Sequence, residues 1–147
     1  LGLNDKCSAI TCPNLVESPY SKTSLQNIKV NSQEFLSIFN GTDGLGFDDL
    51  ISDADFAHIS ARFQNQLASV IDTVDTISTP LGNQVASINS EADETQCTNA
   101  FANPDYESTH QVCSLAGLLK KVTDDLKIEF VTIVDVPLPG RVQSDND

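Results

Sequence analysis

Seven apolar residues, Phe56, Ile59, Phe63, Leu67, Val70, Val74 and Ile77, recur at steps of three and four along "FAHISARFQNQLASVIDTVDTI". Side chains at those spacings share one face of an α-helix and would scatter over both faces of a strand. The stretch therefore predicts an amphipathic helix of about six turns, with a narrow apolar seam. Such a seam is stable in water only when other elements cover it, so the rest of the chain has to supply helical partners.

It does so in three places. Ser24 reads as an N-cap before Leu25, Ile28, Phe35, Leu36 and Phe39, which predicts a helix from Ser24 to about Phe39 with Gly41 as its stop. "NGTDGLGFDDLISD" is a Gly-rich turn leading into a short helical turn. Pro80 ends the long helix, and Leu81, Val85 and Ile88 resume the spacing. That predicts a new helix with Thr79 as cap and Pro80 in first position. "SEADETQCTNAFANP" reads as an acidic, polar loop. Beyond Pro104, Val112, Leu115, Leu119, Val122, Leu126, Phe130 and Ile133 define a long last helix. Its "IEFVTIV" portion is rich in β-branched residues and allows a strand, but the unbroken spacing from Val112 favours helix. The expected fold is all-α, an up-and-down four-helix bundle over residues 24–147, preceded by an irregular leading segment or linker over residues 1–23.

A chain of 147 residues fits one domain and can bury a core without staples. Its 8 Lys and Arg against 21 Asp and Glu give a net charge of -13. Such a surface repels phosphate backbones and anionic lipid headgroups, which argues against nucleic acid as a partner and favours solubility. No apolar run reaches the 18 or so residues of a membrane span. Cys7, Cys12, Cys97 and Cys113 form neither a CxxC nor a Cys/His cluster of zinc-finger spacing. They suit disulfides in an exported protein; three connectivities are open, of which Cys7–Cys12 with Cys97–Cys113 is the local one. The chain opens at "LGLND" without a Met or a signal peptide, which suggests that sequence was removed or lies upstream.

Residue types that carry chemistry are sparse. His58 falls off the apolar stripe and reads as a solvated helix position, whereas His110, near Tyr106 and Cys113, reads as a partly buried structural histidine. Neither belongs to HExxH, and no GxSxG occurs. Asp43, Asp48 and Asp49 gather around three glycines in "TDGLGFDDL", a set of hard oxygen ligands whose spacing differs from the EF-hand calcium loop. They are candidate surface-site residues, and helix capping accounts for the same positions. Asn40 heads an N-G-T glycosylation sequon.

Two stretches carry a resemblance. "YSKTSLQNIKVNSQEFLSIFNGTDGLGFDDLI" resembles the opening of the second half of imelysin-like proteins, and "LAGLLKKVTDDLKIEFVTIVDVPLPGRVQSDND" resembles the end of the same family, so the likeness spans roughly residues 19–147. The resemblance implies an all-helical protein of two related bundles, exported to the bacterial periplasm or outer surface and often associated with iron acquisition. It implies a metal ion in the full-length protein, held through a Gly-x-His-x-x-Glu signature in the first half that this sequence lacks. No catalytic residue, cofactor or metal ligand is therefore assigned to this chain. The expected partner is the N-terminal half of the same protein, in the same or a separate chain. The expected function is a binding or accessory module for iron or metal uptake. The alternatives are part of a metallopeptidase whose site spans both halves, and a secreted helical interaction or structural module.

Overall fold

The computed structural model describes Cys7 and residues 9–134, and among these residues every regular element is helical. In chain order they are a 3-10 turn at Pro13–Leu15, α1 (Ser24–Phe39), α2 (Phe47–Asp53), α3 (Ala57–Thr76), α4 (Leu81–Ala86), α5 (Glu91–Ala102), α6 (Gln111–Asp125), a π-helical segment (Leu126–Phe130) and α7 (Val131–Val134). The all-α helical bundle expected from the apolar spacing is what forms. The strand that "IEFVTIV" allows does not form, as the unbroken spacing indicated, because the side chains that would alternate on a strand continue the stripe of α6.

α3 is the centre. α1 and α6 each pack along it, α2 lies across it, and α5 packs on α6. The stripe residues Phe63, Leu67, Val70 and Val74 are buried, as predicted, together with Phe39, Ile51, Leu115 and Val122. Phe63 meets Phe39 with ring centroids 4.9 Å apart, and Phe39 in turn faces Phe130 at 6.5 Å. Full burial of each such side chain contributes about 1.5–3 kcal/mol. A second apolar cluster gathers Val16, Leu81, Val85, Ile88, Ala100, Val112 and Cys113. Residues before α1 take part in it: Val16 is buried, and the Thr11 hydroxyl donates to the carbonyls of Val85 (2.9 Å) and Ile88 (3.1 Å). α6 places buried residues in both clusters, and Leu25 and Ile28 of α1 pack against both, so these two helices couple them.

Four sequence expectations need correction. "SEADETQCTNAFANP" is largely helix, α5, not a loop. Its buried face consists of small side chains, Ala100 and the partly buried Cys97, so it shows no greasy stripe. Its start is fixed by Ser90, whose side chain accepts from the Asp93 N–H (3.2 Å) while Asp93 Oδ2 accepts from the Ser90 N–H (3.1 Å). The cap of α1 is Thr23, with Ser24 already helical and its hydroxyl turned back to the Glu17 carbonyl. Pro80, not Thr79, occupies the N-cap of α4, and Phe56 the N-cap of α3. The last helix is not uniform: after Asp125 it widens into a π-helical turn before α7.

That turn has a visible support. Arg62 of α3 donates from Nε to Asp125 Oδ2 (3.0 Å) and pairs through its other end with Glu129, bracketing the junction of α6 with the π segment. Gln66, one turn along α3, also donates to Asp125 (2.8 Å). The Glu129 hydrogen bond, followed by the charge of Asp125, raises the guanidinium pKa further above its already high value. Phe130 is thereby presented to both Phe39 and Phe47, the latter at 5.1 Å.

Candidate interaction groove

The cysteines pair locally, Cys7 with Cys12 and Cys97 with Cys113. The second bridge ties α5 to α6 inside the smaller core, where Cys113 is 3% exposed. Cross-linking a loop of 16 residues restricts the unfolded chain by about 3 kcal/mol. We expect Cys97→Ala/Cys113→Ala to lower unfolding free energy by about that amount in urea titration, and the shorter Cys7–Cys12 loop to contribute about 2 kcal/mol on the same scaling.

The two histidines take separate roles. His58 is exposed at the start of α3. His110 is buried just before α6, with Nε2 3.0 Å from Asp93 Oδ1 and Nδ1 3.3 Å from Ser87 Oγ. The ring bonds neither Tyr106 nor Cys113, the neighbours suggested by sequence spacing; Cys113 meets His110 through its backbone N–H, which donates to the His110 carbonyl at 2.9 Å. An ionised carboxylate only accepts, so the ring nitrogen facing Asp93 carries the hydrogen. Ser87, His110 and Asp93 thus stand in the order of a hydrolase relay. The one hydrogen of the Ser87 hydroxyl is, however, shared between the Gln84 carbonyl at 2.7 Å and Nδ1 at 3.3 Å, and the three residues bring together the end of α4 and the starts of α5 and α6.

Asp93 is held at a pKa of about 2, first by the Ser90 hydroxyl, then by His110 and the Asn89 N–H. The folded state therefore takes up this proton less readily than the unfolded chain. Its stabilising contribution is complete above the ordinary carboxylate value of 3.8 and is lost as pH falls towards 2. Asp93→Asn is expected to flatten the stability profile across that acid window, measured by denaturant titration at several pH values.

Asp43, Asp48 and Asp49 do not converge. Asp43 is exposed in the loop before α2. Asp49 Oδ2 accepts from the Gly46 N–H at 3.0 Å, and Asp48 Oδ2 from Gln64 Nε2 at 3.4 Å. A side chain at position 46 would strike the Phe39 carbonyl oxygen and Asp48 Oδ1, each 2.4 Å from a Cβ placed there, so only glycine allows this turn. No group of three or more His, Cys, Asp or Glu among the described residues is placed to hold a metal ion. The metal that the resemblance implies does not fit these side chains.

The surface that the sequence did not reveal lies between helices. α1 and α6 both lean on α3 but make little contact with each other, and the valley between them is an apolar groove of about 270 Å³. Ile28 and Phe35 form one wall, Leu119, Val122 and Leu126 the other, and Leu67 the floor. Asn31, Ser32 and Thr123 add its few polar atoms. The stripes of α1 and α6 signal apolar faces, but not that those faces stay apart.

The described residues thus define a disulfide-bonded all-α bundle with an open inter-helical groove, and no helix among them is long and apolar enough to cross a membrane. The family model for imelysin matches residues 9–111, and the chain belongs to that family. The match runs from the leading segment to the first residue of α6, so the terminal stretch that also resembles the family, which begins at Leu115, lies outside it. No curated protein and no solved structure matches the chain.

Proposed function

We propose that this chain is a helical binding module of an exported imelysin-type protein, whose α1–α6 groove receives a helix from the N-terminal half of the same protein. The observation that carries this reading is the apolar valley itself. Two helices flank a third and leave the position that a further helix fills in a complete four-helix bundle. An apolar side chain such as Phe35, 36% exposed at its edge, gains roughly 1 kcal/mol or more when such a helix covers it. Two disulfides support export to an oxidising compartment, the bacterial periplasm or outer surface.

Family membership supports an accessory role in iron or metal uptake. In that role the chain shapes the assembly, and the metal ligands come from the N-terminal half. The metallopeptidase alternative has a site that spans both halves, and digestion of a denatured substrate by the assembled protein with and without chelator tests it.

Native mass spectrometry of the protein isolated from its source tests the assembly. The expected result is a species heavier than 15.8 kDa, either covalently continuous or a complex. A single monomeric species at 15.8 kDa would sink the reading. Calorimetric titration with ferrous, ferric and zinc ions is expected to give heat only when the N-terminal half is present; specific binding by this chain alone would contradict the proposed division of labour.

A further inference from the structure

We infer that the pole of the bundle formed by α2, the start of α3 and the π segment with α7 is a docking surface for a cationic amphipathic helix of a partner protein. This surface is separate from the α1–α6 groove. Phe56, Ile59, Ile128 and Ile133 share an open cleft of about 430 Å³ there. α7 packs on α2 and Phe47 on Phe130, so α2 belongs to the same pole. Leu50 is 52% exposed and Ile128 67%. Apolar side chains clustered in this way mark a surface that another body covers.

The charges select that body. Between Lys29 and Arg62 the sequence has no Lys or Arg, while it carries Glu34, Asp43, Asp48, Asp49, Asp53 and Asp55. None of these carboxylates forms an ion pair among the described residues; the acidic partners of ion pairs there are Asp75, Asp93, Asp124, Asp125 and Glu129. Asp53 and Asp55 are exposed immediately beside Leu50 and Phe56 in the chain. An apolar cleft bordered by the exposed carboxylates of Asp53 and Asp55 repels anionic lipid and acidic helices. It attracts a helix whose apolar stripe is flanked by Lys or Arg.

The test is fluorescence anisotropy of the whole chain with a dye-labelled amphipathic peptide of leucine and lysine, roughly eighteen residues or five turns long. Binding is expected to weaken about tenfold in Leu50→Ser/Ile128→Ser and about tenfold in Asp53→Asn/Asp55→Asn. All four positions are exposed, so these variants keep the fold, which far-ultraviolet dichroism checks. Asp72→Asn/Asp105→Asn removes as much charge from elsewhere on the surface and is expected to change binding less than about twofold. An equal loss in that control would reduce the effect to general attraction by a chain of net charge -13 and overturn the proposal. So would unchanged binding in Leu50→Ser/Ile128→Ser, equal binding of a leucine and glutamate peptide, or stronger binding to anionic vesicles. Binding seen only after removal of residues 135–147 would make the chain's own end the occupant, with the same consequence.

Discussion

Replacing Gly117 with alanine is expected to destabilise the protein by more than about 3 kcal/mol, although it adds one methyl group in a conformation that alanine accepts. A Cβ at that position would lie 2.2 Å from the carbonyl oxygen of Phe101 and 3.0 Å from its carbon. Both are backbone atoms near the end of α5, and backbone cannot rotate aside as a long side chain can. Inserted bulk in a packed interior commonly costs about 1–3 kcal/mol, and a rigid obstacle puts this case at or above the upper end. Relief requires α5 and α6 to separate, while Cys97–Cys113 holds them together. Ala100 and Val112, packed in the same small core, would lose contact as they part. Urea unfolding measures the effect, and hydrogen exchange should show it concentrated in α5. A loss below about 0.5 kcal/mol, the range of an ordinary surface substitution, would show that the two helices do not approach so closely.

Phe39→Ala is expected to cost about 4 kcal/mol, through lost apolar transfer and the cavity left behind. Phe39 closes α1, is 1% exposed, and touches rings from α3 and the π segment. Its removal leaves Phe130 facing a void, and Phe130 is one of two anchors of the π turn, the other being the Arg62 bracket around Asp125 and Glu129. Hydrogen exchange should therefore rise most over Leu126–Phe130, beyond the fall in global stability seen by denaturant titration. Equal protection there in both proteins would mean that Arg62 alone holds the turn. The Lys29–Asp75 pair links α1 to α3 at 2.6 Å, but it lies ten residues along α1 from Phe39 and is too exposed to make up the loss.

The positions of the helices were legible to the extent that their buried faces were greasy. α1 was found with its end at Phe39, and α3 with nearly its whole stripe, because large side chains at helical spacing identify both an element and its inner face. α5 escaped for the complementary reason: its inner face is Ala100 and a cysteine, and the acidic outer face dominated the reading. A signal was nevertheless present in Ser90-Glu91-Ala92-Asp93, the spacing of a reciprocal helix cap. His110 was legible as a structural histidine, but its partners were not. Ser87 and Asp93 reach it only because α4, α5 and α6 end near one another.

The amino-acid order by itself determined a helical chain with apolar stripes, an acidic surface and cysteines suited to pairing, since each follows from local periodicity or from counting. The tertiary structure decided which cysteines join, where α6 loosens into a π turn, how Gly117 lets α5 come close, and that α1 and α6 leave a groove open between them. Those outcomes depend on distances between residues far apart in the chain. Such distances are set by how all the buried faces fill space together, not by the spacing within any one of them.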